Sequence, residues 1–372
     1  MIRQGYPSPD TLLSFERQLN TIRENAMSEV GQQDADYIRR VIRVQRASAL
    51  LGRVIMVLGF FSPVWWLLGV ALLGLAKILD NMEIGHNVMH GQYDWMNDPH
   101  INSRRFEWDI VGDADSWKRV HNFEHHTYTN IIGKDRDFGY GVLRLSDDLP
   151  WRPKNRWQIF SYAALSLLFQ WGVAYHEVAG ERIFVGKPKK DSKLPISRNQ
   201  LKNDFFQKIR KSTFKDYVFF PLVAGLIAGA PMILAVLAGN AIANLIRNIW
   251  TSTVIFCGHF TEDVHTFNEA DCENETRGQW YYRQILGSSN LEGPVWFHIL
   301  TGHLSCQIEH HLFPDVPAYR YREMAKQVRQ VCAEHNIPYN SGSFLSQYVT
   351  VLQRIWKYSF PTKNTVTESP AS

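Results

Sequence analysis

Three histidine-rich segments lie beside long apolar runs, and they restrict the fold and chemistry of this chain more than any other feature. They have the patterns HxxxH at 86–90, HxxxHH at 121–126 and QxxHH at 307–311, and they contain seven of the 14 histidines. Residues four apart share one face of a helix, so each HxxxH can direct two imidazoles at one point. Adjacent histidines diverge by about 100° on a helix, so such a pair can serve two neighbouring metals. The sequence therefore predicts a site for two metal ions at a membrane face.

Composition argues against several other classes of protein. The net charge of +4 is small for 372 residues and the basic residues are scattered, so we expect no nucleic-acid partner. The four cysteines contain no CxxC pair, which argues against a zinc ribbon or a disulfide framework and favours a reducing cytosolic face. Cys306 lies beside the third histidine segment, and we interpret it as a small buried packing residue. The first ten residues lack the apolar core of a secretory signal, so we expect internal segments to enter the membrane.

The first apolar run predicts a pair of membrane-crossing helices. It covers 47–79 and is too long for a single span of about 20 residues, so we expect a hairpin that turns at Ser62-Pro63. The second arm is predicted to continue past Lys77 into water. There it would carry the first histidine pair along the same helix.

Charge decides between three further apolar segments, at 157–178, 217–237 and 241–258. The connection between the first two is rich in lysine and arginine, and the positive-inside rule keeps such a short basic loop in the cytoplasm. The segment 157–178 then cannot cross the membrane, and we interpret it as an interfacial or partly buried helix. The other two segments are predicted to form a second hairpin that turns at Gly239-Asn240. Two hairpins return all three histidine segments to one side of the membrane.

These assignments predict an all-α integral membrane fold. Four transmembrane helices in two hairpins, about 47–79 and 217–258, would carry a helical cytoplasmic cap that holds a di-metal site. In the polar segment before the first hairpin, a helix is predicted to begin at Pro9 with Ser8 as its cap. We divide the chain into a cytoplasmic N-terminal arm at 1–46, a membrane domain at 47–360 and a disordered tail at 361–372.

The type of ligand narrows the choice of metal. Imidazole suits iron, zinc, copper and nickel, whereas a magnesium or calcium site would be built from carboxylates. A structural zinc site needs only four ligands, and the three segments already supply seven histidines. His259 is our preferred eighth ligand because it lies where the last membrane helix leaves the bilayer, and Gln307 and His303 are further candidates. The predicted metal ligands are therefore His86, His90, His121, His125, His126, His259, His310 and His311.

Other polar residues near these segments have less distinctive patterns. His265 has acidic neighbours, and we expect it at the surface or beside a ligand. Glu83, Glu124 and Glu309 lie within the segments, where they either orient imidazole rings or are solvated. The remaining histidines lack a partner at helical spacing, and we interpret them as ordinary core or surface residues: His100, His176, His298 and His335.

Clustered imidazoles at a membrane surface suit oxygen activation, and the substrate within reach is a lipid chain. Breaking an unactivated C–H bond is beyond a side-chain acid, base or nucleophile, so the metal must supply the oxidising power. The protein would hold the chain in a narrow, bent apolar slot between the hairpins. Tryptophans are candidates to line this slot, although membrane anchoring is their more frequent role.

The three histidine segments, in this order and with apolar hairpins between them, resemble the signature HxxxH, HxxxHH and [HQ]xxHH of the membrane fatty acid desaturase family. The resemblance covers about 45–325, and QIEHHLFP at 307–314 is similar to the form found in front-end desaturases and related bacterial acyl desaturases. It implies a non-haem di-iron centre, O2 as oxidant and insertion of a cis double bond into a long fatty acyl chain. It also implies that the seven histidines of the three segments bind the iron ions, and it matches His259 to a further ligand of the family. Gln307 departs from the all-histidine pattern, which leaves open whether it or His303 contacts iron.

The resemblance also implies partners and a location. Front-end desaturases often carry a fused cytochrome b5 with an HPGG haem motif, which this sequence lacks. We therefore expect electrons from a separate ferredoxin, cytochrome b5 or flavin-dependent reductase that docks on the cytoplasmic face. The expected location is a bacterial inner membrane with the active site on the cytoplasmic side. The acyl carrier, which is coenzyme A, acyl carrier protein or a glycerolipid, and the position of the double bond stay open.

Two other functions stay open as well. A related di-iron hydroxylase of fatty acids, alkanes or carotenoids would use the same ligands, and the QIEHHLFP context favours desaturation. A metal transporter or sensor would instead have histidines along a path through the bilayer. The clusters lie outside the apolar spans, and those spans are expected to contain almost no ionisable groups, which argues against transport.

Overall fold

The computed structural model describes residues 5–185 and 197–362, which form a predominantly helical structure. The two strands, β1 (Asn290–Glu292) and β2 (Ser341–Ser343), pair in parallel, so the predicted all-α class is correct apart from this pair. Short 3-10 helices cover Leu58–Phe60, Asp94–Met96, Phe138–Gly141, Pro153–Trp157, Glu269–Cys272, Leu304–Cys306 and Ala318–Arg320, and π-helical segments cover Asp80–His86, Lys118–His125 and Lys215–Phe219. The α-helices are α1 (Pro9–Ser28), α2 (Gln32–Val57), α3 (Pro63–Leu79), α4 (Asn87–Met89), α5 (Ala114–Trp117), α6 (His126–Tyr128), α7 (Gln158–Leu167), α8 (Phe169–Glu177), α9 (Gly180–Ile183), α10 (Arg198–Phe214), α11 (Phe220–Ala228), α12 (Pro231–His259), α13 (Arg277–Leu286), α14 (Val295–Leu300), α15 (Gln307–Leu312), α16 (Tyr321–Glu334) and α17 (Phe344–Lys357).

The first hairpin is formed by α2 and α3, and it turns where the sequence predicts. Ser62 caps α3, since its Oγ accepts a hydrogen bond from the backbone N–H two residues later at 3.3 Å. Pro63 begins the helix, at a position where no N–H donor is needed. Glycines allow the two helices to approach closely. A Cβ atom on Gly69 would lie only 2.5 Å from the backbone nitrogen of Met56, so no larger residue fits there without movement.

The second hairpin turns earlier than predicted, so the predicted turn at Gly239-Asn240 was wrong. The chain reverses at Gly229, which has φ +90°, a conformation that glycine adopts without steric cost. Pro231 then begins α12 and fits the first turn of a helix. Gly239 lies inside α12, where a Cβ atom would come within 2.5 Å of the Met56 sulfur. The glycine therefore serves close packing between helices instead of a turn.

Among the described residues, two helices are long and apolar enough to cross a membrane, Pro63–Met89 and Pro231–His259. The first joins α3, the π-helical segment at 80–86 and α4, and the second is α12. These helices are the second arms of the two hairpins, and both lead to predicted metal ligands. The first arms, α2 and α11, do not satisfy the same requirement of length and hydropathy. The predicted four-helix topology therefore remains a prediction.

A cluster of buried charges joins the helices of the two hairpins. Lys77 Nζ donates to Asp216 Oδ2 at 2.7 Å, and both side chains are less than a tenth exposed. Arg53 lies 3.7 Å from the same carboxylate and packs over the ring of Phe220. Arg247 is also buried, in the middle of α12. The expectation that the apolar runs contain almost no ionisable groups was therefore wrong, because charges of opposite sign pair across the helices there.

The polar N-terminal segment is part of the packed structure. As predicted, α1 begins at Pro9, and Ser8 Oγ accepts a hydrogen bond from the backbone N–H three residues later at 3.2 Å. One face of α1 packs on α13 and α16, where Phe15 and Leu19 are fully buried. The helix α2 is continuous through residue 46, so no break in secondary structure marks the proposed end of the N-terminal arm.

The helices α7 and α8 cover the segment 157–178 and are partly buried, as predicted. They are separated by a break at Leu168. Tyr162 and Phe169 pack in a core with α12 and α17, whereas Trp157 and Phe160 are exposed. Much of the basic connection that follows, 186–196, lies outside the described residues, as does the predicted disordered tail from residue 363 onward.

Candidate metal centre

The three histidine segments lie on short or interrupted helices. The first two contain π-helical turns, Asp80–His86 and Lys118–His125, and the third forms α15. A π-helical turn within an α-helix is rare and frequently occurs at functional sites. The fourth contribution comes from His259, the last residue of α12. Four separate parts of the chain thus direct histidines towards one region.

All eight predicted ligands meet in one cluster. The ligand nitrogens in each group of rings lie within 4.8 Å of one another. One group comprises His86, His90, His121 and His310. Another comprises His125, His259 and His311, and His126 lies within reach of His310 and His311. The two adjacent pairs therefore distribute their rings between the groups, as helical spacing predicts for a site with two metals.

The cluster is covered by protein, and the expectation that the first histidine pair extends into water was wrong. His86 is 6% exposed and His310 is completely buried. The helices α13, α15 and α16 share one apolar core, which we call the cap, and α15 carries His310 and His311. The helix Pro63–Met89 therefore ends within the cap.

In the second group, three ring nitrogens and one amide point at a common position. His259 Nε2 lies 3.3 Å from His125 Nε2, 3.1 Å from His311 Nε2 and 2.9 Å from Gln307 Nε2. Gly258 allows this approach, because a Cβ atom there would lie 2.9 Å from the Gln307 side chain. The oxygen and nitrogen of a glutamine amide are assigned from their surroundings, so either end can face the rings. Gln307 thus borders the centre directly.

Many ring nitrogens in this cluster are buried and have no hydrogen-bond partner within the described part of the chain. They are His86 Nε2, His90 Nε2, His121 Nε2 and both nitrogens of His126 and of His310. An unsatisfied buried polar group costs on the order of 1–3 kcal/mol. Coordination of a metal ion would satisfy these lone pairs, and imidazole suits iron, zinc, copper or nickel. The residues present therefore fit a pair of transition-metal ions.

Burial favours the neutral form of the rings, which is the form that binds metals. It lowers the pKa of His90, His126 and His310 well below the usual value for histidine, and neighbouring rings add to the effect. His125 behaves differently. Burial acts to lower its pKa, but the charge of Asp135 and its hydrogen bond outweigh this and raise it. The rings with a lowered pKa, those of His90, His126 and His310, are therefore neutral near pH 7, and a neutral ring has a nitrogen lone pair that can bind a metal.

Two carboxylates that sequence reasoning did not identify orient rings of the second segment. His125 Nδ1 lies 3.1 Å from each oxygen of Asp135, which also accepts hydrogen bonds from the backbone N–H of Asn130 and of Asp137. His121 Nδ1 lies 3.3 Å from Asp137. An imidazole that donates its Nδ1 proton to a carboxylate presents Nε2 to a metal, with its ring orientation fixed. These aspartates are therefore positioning residues.

Further polar contacts extend this layer around the cluster. His311 Nδ1 lies 3.2 Å from Thr129 Oγ1 and 3.0 Å from Gln284 Oε1. His176 Nε2 lies 3.2 Å from Asp137 Oδ1. His176, which we interpreted as an ordinary residue, thus contacts the same carboxylate, Asp137, as the predicted ligand His121.

The glutamates of the histidine segments have other partners. Glu83 lies 2.9 Å from His303 Nδ1 and accepts a hydrogen bond from the hydroxyl of Tyr37 at 2.7 Å. Glu309 accepts hydrogen bonds from one asparagine and one tyrosine. Cys306 is buried in an apolar core, as predicted. Because His303 pairs with Glu83, Gln307 is the better placed of the two additional candidates.

Replacing Asp135 with asparagine is expected to weaken metal binding and activity by about 10–100-fold, because the orientation and basicity of the His125 ring depend on this carboxylate. Metal retained by the purified variant during dialysis against a graded chelator measures the effect. Asp115→Asn is the matched control, since that side chain is 77% exposed. Equal metal retention by the two variants would contradict the positioning role of Asp135.

A cavity extends from the histidine cluster between the long helices. The helix α12 lines it with residues at three- and four-residue spacing, from Asn248 to His259, so one face of the helix follows the cavity. Trp108 and Trp117 are the tryptophans that line it. The cluster end is lined by His86, His121, His125, His259 and Gln307, and the walls include Met82, Ile110, Phe169, Val173, Ile255 and Leu304. The cavity thus connects the candidate metal centre to a largely apolar interior.

Comparisons with known proteins agree with this geometry. The family model described as fatty acid desaturase matches residues 40–343. The chain is 43% identical over 346 residues to the NADPH-dependent stearoyl-CoA 9-desaturase of Mycobacterium tuberculosis, and the alignment covers 93% of this chain and 79% of that protein. It is 27% identical over 293 residues to the sn-1 linoleoyl-lipid 6-desaturase of Synechocystis, with coverages of 75% and 77%. The chain therefore belongs to the fatty acid desaturase family, and it is an oxidoreductase that desaturates fatty acyl chains.

Proposed function

We propose that this protein inserts a cis double bond into a long saturated acyl-CoA and that its eight clustered histidines hold two iron ions. The observation that carries the proposal is the meeting of two imidazole groups at the end of a largely apolar cavity. The relative from Mycobacterium tuberculosis is named as a stearoyl-CoA 9-desaturase, which supports stearoyl-CoA as substrate and carbon 9 as the position of the bond.

In this proposal the chain's own residues bind the metal ions, orient the imidazole rings and exclude water from the centre. Iron, when bound, supplies the oxidising power that removes hydrogen from unactivated carbons with O2 as the oxidant. The imidazoles hold the ions, and Asp135 and Asp137 hold two of the rings in place. The walls of the cavity hold the acyl chain against the centre and keep water away from it.

We propose that α2 and α11 also cross the membrane, which makes four spans in two hairpins. Exposed apolar side chains support this arrangement. Leu226 and Ile227 on α11 are 88% and 71% exposed, and Leu50 and Val54 on α2 are more than half exposed. Contiguous apolar surface of this kind is uncommon in water but fits a lipid environment. The basic residues that precede the first hairpin support a location of the metal centre on the cytoplasmic side, which we propose to be that of a bacterial inner membrane.

We propose that electrons come from a separate protein that docks on the cytoplasmic face. The Mycobacterium tuberculosis relative is named as NADPH-dependent, which supports a flavin-dependent reductase that takes electrons from NADPH. Such a reductase would act directly or through a ferredoxin or cytochrome b5. Addition of each candidate carrier to membranes that contain the protein, NADPH and the reductase distinguishes these routes.

Expression in a bacterial host that lacks the activity, together with an NADPH-dependent reductase, is expected to yield fatty acids with a new double bond at carbon 9. Gas chromatography with mass spectrometry of the lipid fatty acids identifies the product. The variant His86→Ala is expected to give none, because His86 belongs to the first imidazole group. A hydroxylated fatty acid would instead identify a hydroxylase. Unchanged lipids with a working reductase and iron-loaded protein would contradict the proposal.

A further inference from the structure

The cavity below the metal centre changes in chemical character along its length. On α12 it is lined in succession by His259, Ile255, Thr251 and Asn248. At a rise of 1.5 Å per residue, His259 and Asn248 are roughly 16 Å apart along the helix axis. Along α12 the lining therefore begins at an imidazole, continues at the apolar side chain of Ile255 and ends at a hydroxyl and an amide.

Side chains from two other helices complete this polar end. Thr251 Oγ1 donates to Asn81 Oδ1 at 3.2 Å, which joins α12 to the helix of the first histidine pair. Gln170, in the first turn of α8, also lines the cavity. We call Asn81, Gln170, Asn248 and Thr251 the polar floor. All four residues are buried, with at most 7% of their surface exposed.

Asn248 is held in place by hydrogen bonds on both sides of its amide group. Its Nδ2 donates to the backbone oxygen of Leu167 at 2.8 Å. That oxygen is available because α7 ends at Leu167, and the last carbonyls of a helix have no partner within the helix. Arg247, which does not line the cavity, donates from Nη2 to Asn248 Oδ1 at 3.1 Å. The amide therefore cannot move aside without losing bonds to both partners.

An acyl chain that reaches the polar floor cannot extend beyond it at low cost. Additional methylene groups would have to displace buried amides from their hydrogen bonds, and an unsatisfied buried polar group costs more than burial of one methylene returns. We propose that Asn248 ends the acyl-chain site and limits the number of carbons between the new double bond and the methyl end. This inference rests on the proposed function and adds the residue that selects substrate length.

The test compares stearoyl-CoA with the saturated acyl-CoA that is two carbons longer, supplied together to membranes that contain the protein and its reductase. In Asn248→Ala, the product ratio of the longer to the shorter chain is expected to rise by about tenfold, since two more methylenes can then be buried. Thr251→Leu, which puts a larger side chain into the polar floor one turn nearer to His259 than Asn248, is expected to shift preference towards the acyl-CoA that is two carbons shorter. Binding of the same acyl-CoAs to the metal-free variants, measured by calorimetry, should shift in the same directions.

Asn240→Ala is the matched control. Asn240 is another buried asparagine of α12, but its side chain donates to the backbone oxygen of Asp216 and it does not line the cavity. Its product ratio should equal that of the wild type. An unchanged ratio in both Asn248→Ala and Thr251→Leu, with product still formed, would overturn the inference. If Asn248→Ala fails to fold, the Thr251→Leu result decides alone. If the wild-type protein forms no product, the proposed function fails instead.

Discussion

Replacing His310 with alanine is expected to abolish product formation and to deplete metal from the centre. His310 is completely buried, and its ring centroid lies 4.7 Å from those of His86, His90 and His126. It belongs to the first imidazole group and also lies within reach of His126 and His311, so its loss affects both sets of rings. The effect should exceed the roughly 10–100-fold loss expected when only an orienting partner is removed. The iron content of the purified variant and its product yield measure the result.

His298→Ala is the matched control for this experiment. His298 is also a buried histidine, and its Nδ1 lies 2.7 Å from Ser305 Oγ, but it belongs to neither imidazole group. The control is expected to keep its iron and most of its activity. Comparable loss of iron in the two variants would show that disturbance of the cap, and not removal of a ligand, explains the loss in His310→Ala.

Replacing Lys77 with methionine is expected to destabilise the folded protein by about 3–5 kcal/mol, because the substitution removes a partner from a buried ion pair. Lys77 is 3% exposed and donates to Asp216, whose side chain is 7% exposed. The carboxylate of Asp216 would remain inside the helix bundle with less compensation. Unfolding by heat or denaturant in detergent micelles measures the loss of stability.

Lys326→Met provides the comparison for the buried pair. Lys326 forms an ion pair with Glu323 on α16, but its side chain is 73% exposed. An exposed pair contributes about 0–1 kcal/mol, so this variant should unfold almost as the wild type does. Equal stability of the two variants would contradict the view that the charge cluster holds the hairpins together.

Features with local sequence signals were predicted well. The turn at Ser62-Pro63 has a capping hydroxyl and a proline at the first helical position, and both act within a few residues. The histidine pairs are also local, because helical spacing alone brings their rings together. His259 could be proposed from its position at the end of an apolar segment, and it does meet the other rings.

Features that depend on contacts distant in sequence were missed. Asp135 and Asp137 lie beyond the second histidine segment, and only the turn of the chain after His126 returns them to the rings. The second turn was missed for a different reason, because Gly229 and Pro231 mark it locally but no polar residue interrupts the apolar stretch there. Hydropathy averaged over a segment also conceals single polar residues, and so the buried charges and Asn248 could be recognised only from their partners in the fold.

The proposal of a two-metal centre is tested most directly by the iron content of protein purified under conditions that keep it active. We expect two iron ions per chain in the wild-type protein, with a Mössbauer spectrum of non-haem iron bound by nitrogen ligands. Active protein that holds one ion per chain, or that forms product with no iron bound, would contradict the proposal that these histidines hold a pair of iron ions.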